Sequence, residues 1–207
     1  MKHTKKIIIA AMLLVAAMGT ATAKKQPGKE GQPVKWSADA IHSSVKFTVK
    51  HLMVSEVEGR FKVFDGAMET SAADFTDAKV NFTVDVASIN TDNDMRDKHL
   101  KSDDFFNADK FPKMTFTSTS FRKTSGSNYE LEGNLTIRDV TKKVKFMVTY
   151  GGTMVDPYGN TKAGFKATAT ISRKEYKLLW NAMTEAGGAV VGDDVNILLN
   201  LEFAKQK

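Results

Sequence analysis

From Ile41 onward, apolar and polar residues alternate with a period of two. Ile41, Ser43, Val45, Phe47, Val49 and His51 share one parity, and His42, Ser44, Lys46, Thr48 and Lys50 share the other. A strand built this way has one apolar face and one wet face. The alternation returns seven more times. It predicts strands over residues 41–52, 57–68 and 78–89, a fourth starting just after Pro112, and four more around 129–137, 144–150, 163–171 and 195–203.

The inward positions follow from parity. The second strand presents Val57, Gly59, Phe61 and Val63, the third Val80, Phe82, Val84 and Val86, and the fourth Met114, Phe116, Ser118 and Ser120. The fifth presents Tyr129, Leu131, Gly133, Leu135 and Ile137, and the sixth Val144, Phe146, Val148 and Tyr150. Ala163, Phe165, Ala167, Ala169 and Ile171 line the seventh, and Val195, Ile197, Leu199, Leu201 and Phe203 the eighth. Eight amphipathic strands of about ten residues, joined mainly by short links, predict an all-β fold: an eight-stranded antiparallel barrel. Two stretches break the pattern. A short helix is expected over 93–102, where Met95, His99 and Ser102 recur at helical spacing beside Leu100. A further helical turn or two is expected over 174–183, where Tyr176, Leu179, Trp180 and Met183 recur at three and four. In a barrel such insertions lid a mouth or close a wall.

The inward set is uneven in bulk. Large Phe rings share it with Ala167, Ala169, Gly133, Ser118 and Ser120, and small residues on several walls favour a barrel that holds one ligand, long and apolar. The expected lining is Val45, Phe47 and Val49 on the first strand, Phe61 and Val63 on the second, and Val80, Phe82 and Val84 on the third. Met114, Phe116, Leu131, Leu135 and Phe146 continue it, and Phe165, Ala167, Ala169, Ile197 and Leu199 complete it. The alternative is a barrel filled by the helices or by tilted Phe rings.

Composition narrows the class. Met1 to Lys6 carries three lysines, an apolar run follows to Gly19, and Ala21-Thr22-Ala23 places small residues where a signal peptidase reads them. This is the pattern of a secretory leader cleaved after Ala23, and its apolar core is too short to span a bilayer. Residues 24–33, rich in Lys, Gln, Gly and Pro, read as a flexible lead-in, with the barrel domain over 34–207. Without the leader the net charge falls from +6 to +3, and the charges are interspersed, so nucleic acid is not an expected partner. The chain has no cysteine, which excludes disulfide staples, thiol chemistry and a lipid anchor on cysteine.

Candidate chemistry is sparse. Asp39, His42, His51, Asp97, His99, Asp103 and Asp104 are metal-ligand types, but no pair has the histidine spacing of a specific site, and no nucleophile elbow or phosphate loop occurs. No catalytic residue, metal or cofactor is expected. Four side chains are candidates for a ligand head group: His51 by its inward parity at a strand end, His99, and Arg96 and Arg173, whose guanidinium groups fork onto phosphate or carboxylate. The plainer alternatives are a His51 satisfied by a backbone group or serine, and arginines paired with Asp97 or Glu175.

Ordered motifs carry a resemblance along the chain. D-x-x-H-S from Asp39, H-L at His51-Leu52, E-G-R-F from Glu58, S-I-N-T from Ser88 and R-D-K-H-L-K-S-D-D-F-F from Arg96 come first. F-P-K-M-T-F from Phe111, G-N-L-T-I-R-D-V-T-K from Gly133 and V-G-D-D-V from Val191 follow in the same order. The sequence resembles the YceI-like family of exported lipid-binding proteins. That resemblance implies an extended lipocalin-like barrel, often dimeric, holding a polyisoprenoid or similar long-chain amphiphile. Asp139 and Lys177 stand where the family frequently has glycine, which affects two turns. Resemblance and leader together point to a periplasmic carrier or store of an isoprenoid or other fatty lipid, with no stable membrane anchor. An enzyme of lipid or quinone metabolism using the histidines and aspartates at the mouth, and an interaction module with a filled core, are the alternatives.

Overall fold

The computed structural model describes residues 32–183 and 189–207. The leader and nearly all of the lead-in lie outside the described residues. Eleven strands are present: β1 (Val34–Ala38), β2 (Ser44–His51), β3 (Ser55–Phe61), β4 (Phe64–Thr70), β5 (Lys79–Asp85) and β6 (Ile89–Asn90) in the first half. β7 (Lys113–Ser125), β8 (Asn128–Ile137), β9 (Val140–Val155), β10 (Thr161–Ser172) and β11 (Val191–Lys205) follow.

These eleven strands make eight walls. β1 and β2 both pair antiparallel with β11, Trp36 opposite Lys205 and Val45 opposite Leu199, so they are one wall interrupted at residues 39–43. β3 and β4 form the next, interrupted at Lys62 and Val63. β5 and β6 form the third, interrupted by a 3₁₀ turn, Val86–Ser88. Walls β7 to β11 continue in order, every pairing is antiparallel, and β11 meets the first wall to close the ring. The barrel is therefore closed, eight-stranded and antiparallel, as the alternation predicts.

A strand break and a bulge correct the expected inward positions at Val63 and Ser120. Val63 lies in the break between β3 and β4, where alternation restarts, and its side chain is 58% exposed. On β7 a bulge between Ser118 and Ser120 resets parity, so Ser120 points outward and Phe121 is buried in its stead. Ser118 Oγ accepts the Val80 backbone N–H at 2.7 Å, carrying on the strand pairing past the bulge.

Several small inward residues are seats for aromatic rings. Phe47 lies over Gly59, Phe82 over Gly66 and Phe116 over Gly133, each so close that a β-carbon at the glycine would collide with the ring. A ring on one strand thus covers backbone exposed by a glycine on the next. The filled-barrel alternative holds at these points, and Gly133 contributes no free space.

The two ends differ. At one, the turn after β4 drives buried Phe75 into the barrel, where its ring meets Trp36 at 5.5 Å, Tyr150 at 5.4 Å and Phe165 at 5.3 Å. Tyr129 is also buried there and donates its hydroxyl to Asp74 O at 2.8 Å. This end is plugged. Both non-strand insertions sit at the other: helix α1 (Asp94–Lys101), and the described residues 173–183 and 189–190 of the strap that leads from β10 to β11. α1 starts where expected, capped by Asn93 Oδ1 accepting from Arg96 N. The expected second helix is only a 3₁₀ turn, Arg173–Tyr176, because Lys177 adopts a left-handed φ of 61° and ends it.

Candidate functional site

An apolar cavity runs through the barrel from the Phe75 plug to the strap. Its volume is about 200 Å³. On β11 its wall extends from Val191 to Leu201, and because the register shifts between Val191 and Val195 the stretch Val191–Asn200 matches only His51–Ser44 of β2, seven steps or ~23 Å at ~3.3 Å per residue. The bore is long and narrow. It is lined by inward side chains of every wall: Val45, Phe47 and Val49; Phe61 and Met68; Val80, Phe82 and Val84; Met114 and Phe116; Leu131 and Leu135; Phe146; Phe165 and Ala167; Ile197 and Leu199.

Of the eighteen residues expected to line it, two do not. Val63 faces solvent, and half-buried Ala169 does not line the cavity although its cross-strand partner Ile197 does. Others were hidden from periodicity. Phe121 follows the β7 bulge, and Leu100, Phe105, Phe106 and Leu178 come from α1, the segment after it and the strap, where no two-residue period exists. The doubled Phe in the motif from Arg96 was the available signal for Phe105 and Phe106.

The strap end carries the polar candidates, and the structure separates them. Arg173 is 3% exposed, and its guanidinium donates to four carbonyls: Leu178 O at 2.6 Å, Trp180 O at 2.7 Å, Gly192 O at 2.8 Å and Val191 O at 3.3 Å. A fifth contact, 3.4 Å, reaches Asp193 Oδ1. A guanidinium has five N–H donors, so none is left for a head group. Burial pulls Arg173 below its ordinary pKa, opposed by the charge of Asp193. Its role is to knit the strap to β11, which corrects the head-group expectation. Burial also pushes the phenol of nearby Tyr176 up to about 12.

Arg96 is held by a smaller set of partners. Its Nε donates to Thr91 Oγ1 at 2.7 Å and an Nη to Thr91 O at 2.8 Å, while buried Asp97 accepts from the same threonine's N–H and hydroxyl. Arg96 thus fastens α1 to its own entry turn and does not reach the bore. His51 ends β2 opposite Val191, which lines the cavity. His99 shares a 2.9 Å hydrogen bond with Asp104, and its ring stands edge-on to Phe105 at 5.1 Å and to Trp180 at 4.9 Å. Of the four, His51 and His99 remain at the mouth.

A second polar group lies at the break between β1 and β2, away from the strap. Asp39 accepts from Lys162 Nζ at 2.6 Å and pairs with His42 Nδ1 at 3.0 Å, and Glu202 lies 3.1 Å from the same lysine. Asp39, His42 and Glu202 offer ligand atoms within 4.8 Å of one another, a grouping the sequence did not disclose because Glu202 is on β11. Lys162 supplies the cation between the two carboxylates. Hydrogen bonds from Lys162 and then His42 hold Asp39 far below the usual carboxylate range, and the Asp39 carboxylate raises His42. The group clamps the broken wall to β10 and β11.

The model of the YceI-like domain matches residues 36–203. A UPF0312 protein of Staphylococcus aureus (strain bovine RF122 / ET3-1) is 41% identical over 167 residues, covering 80% of this chain and 95% of the relative. The crystal structure of Burkholderia cenocepacia BcnA superimposes with a TM-score of 0.68 at 25% identity, over 80% of this chain and 98% of that one. A domain from Saccharophagus degradans, described as polyisoprenoid binding and implicated in plant cell wall breakdown, shares the fold at a TM-score of 0.58 and 17% identity, over 83% of this chain and 98% of its own. With motif order, barrel and a family match spanning almost every described residue, the chain belongs to the YceI-like family.

Proposed function

We propose that this chain binds a long-chain isoprenoid or similar amphipathic lipid in the barrel and carries or stores it without making or breaking a bond. The observation that supports this reading most directly is the bore itself: apolar in its lining, fed by every wall of the barrel and plugged at one end. Burial supplies the affinity. At ~0.8 kcal/mol per buried methylene, twenty carbons offer a gross ~16 kcal/mol before ordering costs. The fold shared with a domain described as polyisoprenoid binding agrees with this. With Arg96 and Arg173 committed to backbone and threonine, the head group is left to the mouth near His51 and His99. The leader pattern over residues 1–23, joined to the resemblance to exported family members, supports a periplasmic location for such a carrier.

Mass spectrometry of an organic extract of freshly purified protein tests the reading. A long-chain lipid at near-stoichiometric amount is expected. An extract without lipid, from protein that also takes up none when offered prenols or fatty acids, overturns it.

A further inference from the structure

Phe75 closes its end of the barrel from a backbone that is strained. Its φ is 63°, a left-handed value that a bulky side chain rarely adopts. Such a conformation persists only where the surrounding structure over-determines it. Here the turn does so. Phe75 N donates to Ala72 O at 3.1 Å, and Ala78 N donates to Phe75 O at 3.0 Å. The Asp77 carboxylate gathers the same turn, accepting from Ser71 N at 2.9 Å, from Ala72 N at 3.1 Å and from the hydroxyl of buried Thr70. Thr76 gives its N–H and its hydroxyl to the Asp74 carboxylate, while the Asp74 carbonyl takes the Tyr129 hydroxyl from the opposite wall.

What this turn holds in place is the back of an aromatic floor. Phe165 and Phe121 line the last of the bore, their ring centroids 6.4 Å apart. Phe75, Tyr150 and Phe203 stand against Phe165 at 5.3, 5.3 and 6.1 Å, and Tyr129 stacks on Phe121 at 5.0 Å. None of those four supporting rings lines the cavity, so they back the floor without adding to the bore. Met68 and Leu201 complete its edge, Leu201 as the cross-strand partner of Phe165 and Met68 as that of Trp36, whose ring meets Phe75. Every floor residue is apolar. The indole N–H of Trp36 is buried without a partner, but Trp36 does not line the bore.

Two consequences follow for anything that enters from the strap end. The chain stops at Phe165 and Phe121, and its terminus there must be hydrocarbon, because a charged end would be buried against rings with no donor to meet it. We infer that the floor of Phe165 and Phe121, braced by the Phe75 turn, sets the length of chain the barrel selects: a single-headed lipid whose tail is as long as the bore. The inference rests on the lipid-binding reading and names the class of lipid within it.

The test is the affinity of lipid-stripped protein for even-numbered saturated fatty acids from laurate to behenate, and for farnesol, geranylgeraniol and solanesol. For the parent, each methylene should tighten binding ~4-fold until the tail fills the bore, after which added methylenes stay in water and the series levels off. Phe165→Ala removes the floor ring. Phe75→Gly removes the brace and suits the left-handed backbone, so it folds even where the first variant does not. In both the break should move to longer chains, with ~4-fold tighter binding per methylene past the parent's break. Leu135→Ala widens the bore far from the floor and should leave the break where it was. Hexadecanedioate should bind roughly a hundredfold or more weaker than palmitate. Parent binding without a break, floor variants that share the parent's break, a break moved equally by Leu135→Ala, or a diacid bound as tightly as its monoacid each overturn the ruler alone. Parent protein that yields no lipid on extraction and takes up neither series sinks the lipid-binding reading itself, and the ruler with it.

Discussion

Lys177 donates its ammonium to Asp139 at 2.8 Å, joining the residue that ends the 3₁₀ turn of the strap to the β8–β9 turn. These are the two positions where the chain parts from the glycines its relatives' motifs lead one to expect. Arg138, in the same β8–β9 turn, donates to Lys177 O at 3.0 Å and to Phe105 O at 2.9 Å, so strap, turn and post-helix segment meet at one corner. The departures form a latch. The hydrogen bond from Lys177 holds the Asp139 carboxyl below its ordinary value. A depressed carboxylate gives stability that is present above its unfolded pKa of ~3.9 and is lost as pH falls through the folded value. Thermal midpoints taken from about pH 6 to about pH 3 should therefore fall more steeply for the parent than for Asp139→Asn. Equal slopes would leave the latch without energetic content.

The clamp at the broken first wall has the opposite sign on the neutral side. His42 is raised, first by its hydrogen bond to Asp39, so its contribution is full below the unfolded value of ~6.5 and is lost as pH climbs through the folded one. Glu202 adds to the rise and Lys162 opposes it. Between about pH 6 and about pH 8 the parent should lose thermal stability that His42→Gln never had, giving a flatter profile in the variant. The Asp39 contribution is lost only in acid, so the two limbs separate in one titration.

The ring of Phe47 lies across Gly59, its cross-strand partner, with the Thr91 methyl on the same spot. Gly59→Ala should cost about 1 to 3 kcal/mol in denaturant unfolding, the usual penalty for overpacking. In a Phe47→Leu background the same change should cost less, because the atom it strikes has been removed. An equal cost in both backgrounds would move the cause to the backbone.

Ala167 is buried on β10 between Val148 and Leu199, and all three line the bore. Ala167→Trp should expel the lipid expected there. It should also destabilise by less than the ~1 to 3 kcal/mol of an overpacked core, since the indole enters space that a chain would otherwise fill. Extracted lipid and unfolding midpoint together check this, and unchanged lipid content would take Ala167 out of the binding path.

Barrel, strand count, antiparallel order and most of the lining were legible in the sequence, because a side-chain period of two repeats on every wall and a single parity fixes which face is buried. The helix α1 was legible because Met95, His99 and Ser102 recur at helical spacing, which is a local pattern. What escaped were events that reset or override local parity. The break at Val63 and the bulge after Ser118 each shift the alternation, and a bulge is settled by pairing with a partner strand. Gly133 read as empty space until Phe116 of the neighbouring wall was seen to fill it. Arg173 read as a ligand contact because its residue type suits anions, but its partners are carbonyls of the strap and β11, some of them nearly twenty residues away. The Asp39, His42, Lys162 and Glu202 clamp joins groups up to 163 positions apart. Periodicity reports which face a residue turns, whereas a buried polar group's partner is set by which segments the closed barrel brings within hydrogen-bond reach, and only the tertiary structure decided that.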